Sequence, residues 1–293
     1  MPILLVAGTE QGAGATTVVA GLAHRLADAG RAVRVERLAG DARAEADAEL
    51  YATLDFAAGG GSPLTEQALS AALPSGDAVL LIEASPGVDL GALAARLTAR
   101  SLLVAPEGAE ASPPAGGGLL WTRVRAGSSD SDGELRLPED RLLAAPTVGR
   151  LIEASGARVL ARSRDGDAAI VERILVGAVS HDATDVSYFE RHPRTAVVTR
   201  AEKVDIALGA LRSGASCLIL SGGSDPSPYL LDRVASSRET TLLLAPEGTV
   251  ETMRRIEGTF ASTPFAGDAK VERAGELMAA AVDDAALALL LGG

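Results

Sequence analysis

Leu4-Leu5-Val6-Ala7-Gly8-Thr9-Glu10-Gln11-Gly12-Ala13-Gly14-Ala15-Thr16-Thr17-Val18-Val19-Ala20 reads as a buried strand, a glycine-rich turn and the start of an apolar helix. A turn of this kind lets successive backbone N–H groups and a helix N-terminus face an anion, which is how a phosphate-binding loop works. Gly12, Gly14, Ala15, Thr16 and Thr17 are its candidate phosphate contacts. The residue before Thr16, where such loops carry lysine, is Ala15. The frame for a nucleotide is present without its main cationic side chain.

Outward from this loop, residues 2–7 are apolar throughout, as in a strand covered on both faces. Residues 16–29 place Val18, Val19, Leu22 and Leu26 at helical spacing and stop at Gly30. Further strands are expected at 32–38, 78–83, 101–105 and 119–124, with helices at 45–57, 65–72 and 147–154. This alternation predicts an α/β fold with a parallel sheet and right-handed crossovers. Ligands on such sheets bind at the carboxyl ends of the strands, where the turn at 8–17 belongs. The apolar run Val79-Leu80-Leu81-Ile82 ends on Glu83, where a phosphate-loop protein keeps an acidic residue for magnesium. Thr16 and Glu83 are therefore the candidate metal ligands. The alternative for Glu83 is an ordinary acidic residue at the exposed end of a buried strand.

The chain's 293 residues have room for two domains, and 47% hydrophobic with 23% charged residues is a globular balance. A net charge of −12 argues against nucleic acid or an anionic membrane as partner. No apolar run is long enough to span a bilayer, and Met1-Pro2 leads into a strand with no signal-peptide pattern. The single cysteine, Cys217, sits in the apolar run Cys217-Leu218-Ile219-Leu220 and is expected to be a buried thiol. That rules out a disulfide framework and makes a reducing cytoplasm the expected location. His24, His181 and His192 lack metal-ligand spacing, and no Gly-x-Ser-x-Gly elbow occurs. Trp121 is expected in the core and Asp283-Asp284 on a solvated face.

The loop Gly8-Thr9-Glu10-Gln11-Gly12-Ala13-Gly14-Ala15-Thr16 resembles that of dethiobiotin synthetase. Arg37 falls where that family has a lysine at the end of its second strand, and Glu83 where it has a magnesium-binding glutamate. The resemblance implies ATP and magnesium as cofactors, with Arg37 joining the loop residues at the nucleotide. The segment Pro138-Glu139-Asp140-Arg141-Leu142-Leu143-Ala144-Ala145-Pro146-Thr147-Val148 resembles the dethiobiotin-synthetase-like N-terminal domain of long phosphotransacetylases and their stand-alone relatives. The departures are Ala15 and Arg37 in place of lysines, and Ala84-Ser85-Pro86-Gly87 after the glutamate. A lysine at the loop makes charge-assisted bonds to phosphate, each worth about 1.5–3 kcal/mol. Its loss weakens nucleotide affinity by roughly 10- to 100-fold and slows any phosphoryl transfer by about 10²–10³.

The second half predicts a smaller α/β unit, with strands at 156–160, 174–180, 196–199, 216–220 and 240–245. Helices are expected at 184–191, 204–212, 227–235, 250–258 and 270–281, the last closing this unit. Ser163-Arg164-Asp165-Gly166-Asp167 reads as a linker, which divides the chain into domains 1–162 and 168–285. The segments Ile174-Leu175-Val176-Gly177-Ala178-Val179-Ser180, Val198-Thr199-Arg200-Ala201-Glu202-Lys203-Val204-Asp205-Ile206-Ala207-Leu208 and Leu218-Ile219-Leu220-Ser221-Gly222-Gly223 resemble the DRTGG domain. Glu202-Lys203 stands where that family has Asp-Arg, and lysine does not reproduce a bidentate arginine fork. Thr199, Arg200, Glu202, Lys203, Asp205, Ser221, Gly222 and Gly223 fall in two strand-end turns, as candidates for a small-ligand site or a subunit interface. The alternative is that these turns are tight connections, with helix caps at Asp205 or Ser227.

Two functions follow. One is a non-catalytic regulatory or ligand-sensing protein that meets a nucleotide or small metabolite, as a homo-oligomer and with a separate acyltransferase as a candidate partner. The phosphotransacetylase catalytic domain would follow residue 293, so acetyl transfer is not expected. The alternative is an ATP-dependent enzyme of the dethiobiotin synthetase type, in which Arg37 takes over the lysine's role. Ala15 favours the first.

Overall fold

All six residues of β1 (Ile3–Gly8) are buried, because this strand lies in the middle of a sheet. In the computed structural model, which describes residues 2–71, 76–126, 134–177, 192, 194–260 and 262–292, that sheet has seven strands. The others are β2 (Val33–Arg37), β3 (Ala58–Gly59), β4 (Val79–Ala84), β5 (Arg100–Pro106), β6 (Gly118–Val124) and β7 (Leu135–Pro138). Their order is β3-β2-β4-β1-β5-β6-β7, and every pairing is parallel. Register places Arg37 of β2 opposite Glu83 of β4, and Glu83 opposite Val6 of β1. The carboxyl edge therefore gathers the glycine loop, Arg37 and Glu83.

Helices α1 (Ala15–Asp28), α2 (Ala44–Ala52), α3 (Glu66–Ala71) and α4 (Leu90–Leu97) serve this sheet. Neither α4 nor β7 is among the elements expected from the sequence. Asp89 caps α4 by accepting the Ala92 N–H at 2.9 Å, and Leu90, Leu93 and Ala94 pack into the core formed by Leu5, Leu80 and Ile82. The expected helix at 45–57 ends early, at Ala52, and the chain crosses to the short edge strand β3.

The chain divides into two compact units, 1–140 with 265–293 and 141–264. The second holds α5 (Arg141–Ala144), α6 (Val148–Ser155), β8 (Arg158–Ala161), β9 (Arg173–Val176) and β10 (Thr195–Arg200). After these come α7 (Val204–Arg212), β11 (Cys217–Ser221), α8 (Pro228–Ser237), β12 (Thr241–Leu244) and α9 (Thr249–Glu257). The sheet order is β8-β12-β11-β10-β9, parallel except that β8 runs antiparallel to β12. Cys217 is fully buried, as expected of its apolar strand, and burial pushes its thiol pKa up.

This division differs from a boundary between residues 162 and 168. β8 and α6 belong with the second sheet, because Val159 and Leu151 pack with its strands rather than with the first core. The segment read as a linker is pinned inside the same unit: Ser163 N–H donates to Thr241 Oγ1 at 3.1 Å, and Arg164 N–H to the Arg238 carbonyl at 3.0 Å.

The expected closing helix at 270–281 also needs correction. As α10 (Asp268–Ala281) it belongs to the first unit and packs on α1. Small residues allow this: a Cβ on Gly21 would lie 2.7 Å from the Ala274 carbonyl oxygen, and one on Gly275 would lie 2.5 Å from the His24 ring. A last helix, α11 (Asp284–Leu291), follows, with Asp283 capping it through the Ala286 N–H at 2.8 Å. Asp284 pairs with Arg25 on α1, so this acidic pair closes a helix contact as well as facing solvent. The expected helix at 184–191 and the end of the strand at 178–180 lie outside the described residues. Among the described residues, no helix is long and apolar enough to cross a membrane.

Candidate functional site

β1 delivers the chain into the loop at 9–14, where Gly12 (φ 85°) and Gly14 (φ 102°) take the left-handed conformation that side chains resist. A Cβ on Gly14 would also meet Thr122 Cγ2 at 3.3 Å. Strand β6 holds two loop carbonyls from outside: Thr122 Oγ1 donates to the Ala13 oxygen at 2.7 Å, and Arg123 Nη2 to the Gly12 oxygen at 2.6 Å. Gly14 precedes α1 without a side-chain cap, and its carbonyl takes the first intrahelical bond, from Val18 N–H at 3.0 Å. The N–H groups of Ala15, Thr16 and Thr17 therefore have no intrahelical acceptor and carry the positive end of the helix dipole.

A cavity of about 40 Å³ lies against this loop, and Gly12, Gly14, Ala15, Thr16, Arg37 and Glu83 all line it. Thr17, also expected there, does not. Arg37 is only 2% exposed and its donors are committed. Nη1 donates to the Leu38 carbonyl at 2.6 Å and Ser85 Oγ at 3.4 Å, and Nη2 to Asp41 at 2.5 Å. Nε donates to Asp47 at 3.3 Å and lies 3.7 Å from Glu83 Oε2. Burial pulls the guanidinium pKa down, but the charge of Glu83 and the bond to Asp41 outweigh it, and the group stays ionised.

Glu83 is buried and accepts from Thr16 Oγ1 at 3.0 Å and from the Tyr51 hydroxyl. Burial raises its pKa to about 7, against the pull of Arg37. Burial likewise raises Asp47 despite its ion pair with Arg37, whereas bonds from Ser85 and Arg37 carry Asp41 downward against its own partial burial. Glu10, Asp41, Asp47 and Glu83 line the cavity against Arg37 and Arg43 only, so its side-chain charge is negative. Thr16 Oγ1 and the buried Glu83 carboxylate place two hard oxygens side by side next to the loop's amides.

Tyr51, Asp41 and Asp47 are not among the candidates that the sequence pattern marks. A signal existed for Tyr51: Ala44, Ala48 and Tyr51 form the buried face of α2 at helical spacing, which turns the phenol toward β4. Asp41 and Asp47 reach Arg37 through a turn and a helix whose packing the sequence does not reveal.

In the second unit, the carboxyl ends of β10 and β11 are tied to each other. Thr199 Oγ1 donates to the Gly177 carbonyl at 3.0 Å, and Ser221 Oγ to the Thr199 carbonyl at 3.1 Å. Ser221 Oγ also lies 2.8 Å from Thr249 Oγ1, at the start of α9. The amides of Gly222 and Gly223 donate to the carbonyls of Glu247 and Ala245, at 2.7 and 3.0 Å. Residues 150–259 match the family model of the DRTGG domain. The chain carries a DRTGG domain.

That match lies wholly inside the second unit. No curated protein matches the chain. A solved structure similar to part of it holds the CBS and DRTGG domains of the regulatory region of Clostridium perfringens pyrophosphatase, complexed with the activator diadenosine tetraphosphate. The identity is 15% and the TM-score 0.34, with 42% of this chain and 52% of that one covered, so this chain spans about half of the other's length.

Within the DRTGG domain, the candidate residues fall into two groups. Thr199 and Ser221 are buried and spend their hydroxyls joining strand ends, while Arg200, Glu202, Lys203, Asp205, Gly222 and Gly223 are exposed around the same edge. Ser227 caps α8, accepting from Leu230 N–H at 3.3 Å, as one reading of that turn expects. Asp205 instead sits within the first turn of α7, whose N-cap is Lys203.

Proposed function

We propose that this protein is a non-catalytic regulatory protein that binds a magnesium nucleotide at the glycine loop of its first unit without turning it over. The observation that carries this reading is Arg37. It is the residue placed to replace the missing loop lysine, and its donors are spent on Asp41, Asp47, Ser85 and the Leu38 carbonyl. Pulling it toward a transferring phosphoryl group would strand buried carboxylates, at a cost of about 3–5 kcal/mol. Neither lysine of the chain lines the cavity.

The cradle suits a phosphate only when a cation accompanies it, because acidic side chains outnumber basic ones around the cavity. Thr16 and Glu83 fit magnesium, a hard ion that takes oxygen ligands and retains water and phosphate oxygens as the rest of its shell. Magnesium would offset the phosphate charge there, while the amides of Ala15 and Thr16 orient the anion. The DRTGG domain then supplies a second surface, Arg200, Lys203 and the Gly222-Gly223 turn, for a small metabolite or nucleotide. This supports a sensing role over an ATP-dependent ligase.

Calorimetric titration with magnesium-ATP, paired with a phosphate-release assay, tests the proposal. Weak saturable binding without phosphate release is expected, and Ala15→Lys should tighten binding roughly 10- to 100-fold. Brisk hydrolysis by the natural sequence, abolished in Thr16→Ala, would overturn it.

A further inference from the structure

Arg43 lines the cavity at the glycine loop as the N-cap residue of α2. Its main chain is fixed on both sides. The amide donates to Asp41 Oδ1 at 2.8 Å, and the carbonyl accepts from the Asp47 N–H at 2.9 Å. Asp41 ties the two arginines of the cavity together, since its Oδ2 accepts from Arg37 Nη2 at 2.5 Å. The Arg43 guanidinium, by contrast, is unspent: half-buried, it makes no hydrogen bond and no ion pair among the described residues. Its charge reaches Asp47, one turn along the helix, but that carboxylate is bonded to Arg37 Nε at 3.3 Å. With Arg37 committed to Asp41 and Asp47, Arg43 is the cavity's available cation.

We propose that Arg43 binds the nucleotide's phosphates in place of the missing loop lysine. This rests on the magnesium-nucleotide reading above and names the phosphate chain as the group that α2 recognises. The cavity gathers two sets of unspent donors, the Arg43 guanidinium and the amides of Ala15 and Thr16 that lack an intrahelical acceptor. Both call for an anion with several oxygens. A planar guanidinium engages two phosphate oxygens at once, which a point charge does not do. Arg43 thereby adds a contact from α2 to those the loop supplies from α1.

Calorimetric titration of the full chain with magnesium-ATP and with magnesium-tripolyphosphate tests this. Arg43→Gln should weaken both ligands by about tenfold or more, through loss of a charge-assisted bond. Arg43→Lys keeps the charge without the fork and should fall between the two. In an Ala15→Lys background the Arg43→Gln penalty should shrink, because two cations then share one role. The side chain makes no bond among the described residues, so Arg43→Gln should leave the urea midpoint read by Trp121 fluorescence unchanged. Equal magnesium-ATP affinity for the natural sequence and Arg43→Gln overturns this assignment and leaves the nucleotide reading standing. So does a penalty on ATP that tripolyphosphate does not share, which would place Arg43 on the base or ribose, or one undiminished by Ala15→Lys. Absence of saturable binding to the natural sequence overturns the nucleotide reading itself, and this assignment with it.

Discussion

Replacing Glu83 with glutamine should flatten the pH dependence of the first unit's stability. Glu83 is held near pKa 7 when folded, against an ordinary value of 4.5, because burial disfavours its charge more than Arg37 restores it. The groups facing it are Arg37, Asp47, Tyr51 and Thr16. A carboxyl whose folded pKa is raised stabilises the fold fully below its unfolded pKa and loses that contribution as pH rises through the folded one. Each unit of displacement is worth about 1.4 kcal/mol, so ionising Glu83 between pH 5.5 and 8 should cost about 2 kcal/mol. Glu83→Gln removes the titrating proton while keeping the side chain's shape. Trp121, the chain's one tryptophan, sits on β6 of the first unit and reports on that unit alone. Urea unfolding followed by its fluorescence should show the wild-type midpoint falling from pH 5.5 to 8 by about 1 M relative to Glu83→Gln, for a denaturant dependence of about 2 kcal/mol per M. Parallel midpoints for the two proteins across that range would refute the argument that burial governs this carboxylate.

Magnesium-ATP affinity should rise about tenfold between pH 6 and pH 8, since metal binding requires the ionised form of Glu83; calorimetry at the two pH values checks it. Arg37→Met should destabilise the first unit by about 3–5 kcal/mol at pH 8 and less at pH 5.5, where Glu83 takes up a proton, as read by Trp121 fluorescence. Gly21→Ala places a methyl 2.7 Å from the Ala274 carbonyl and should cost about 1–3 kcal/mol by separating α1 from α10, with the same readout. Ser227→Ala removes the cap of α8 and should cost about 1 kcal/mol in the second unit only, measured as faster reaction of the buried Cys217 thiol with a disulfide reagent while the Trp121 transition stays fixed.

The sequence determined the local elements around the glycine loop, because their signals are local. Gly12 and Gly14 are needed where φ is positive, and the apolar run of β1 needs cover on both faces. Val18, Val19, Leu22 and Leu26 repeat at helical spacing, and all four are buried in α1. Arg37 and Glu83 could be placed at one edge in advance, since each ends a strand of one parallel sheet and such ends share an edge. Helix α7 is likewise found over the residues its pattern indicates, 204–212.

Tertiary structure alone decided where the chain divides and what the loop's neighbours do. A strand at 158–161 carries no mark of which sheet it will join; pairing with β12 requires the fold to bring Val159 beside Leu243. The membership of α10 rests on Gly21 and Gly275, which read as mere absences of side chains until the helices meet through them. Arg37 resembled a spare cation because sequence counts charges without their partners. Only the burial that holds it among Asp41, Asp47 and Glu83 shows that its charge is already used. Spacing along the chain encodes periodicity, whereas burial and ion pairing depend on distances between residues far apart in sequence, which folding alone sets.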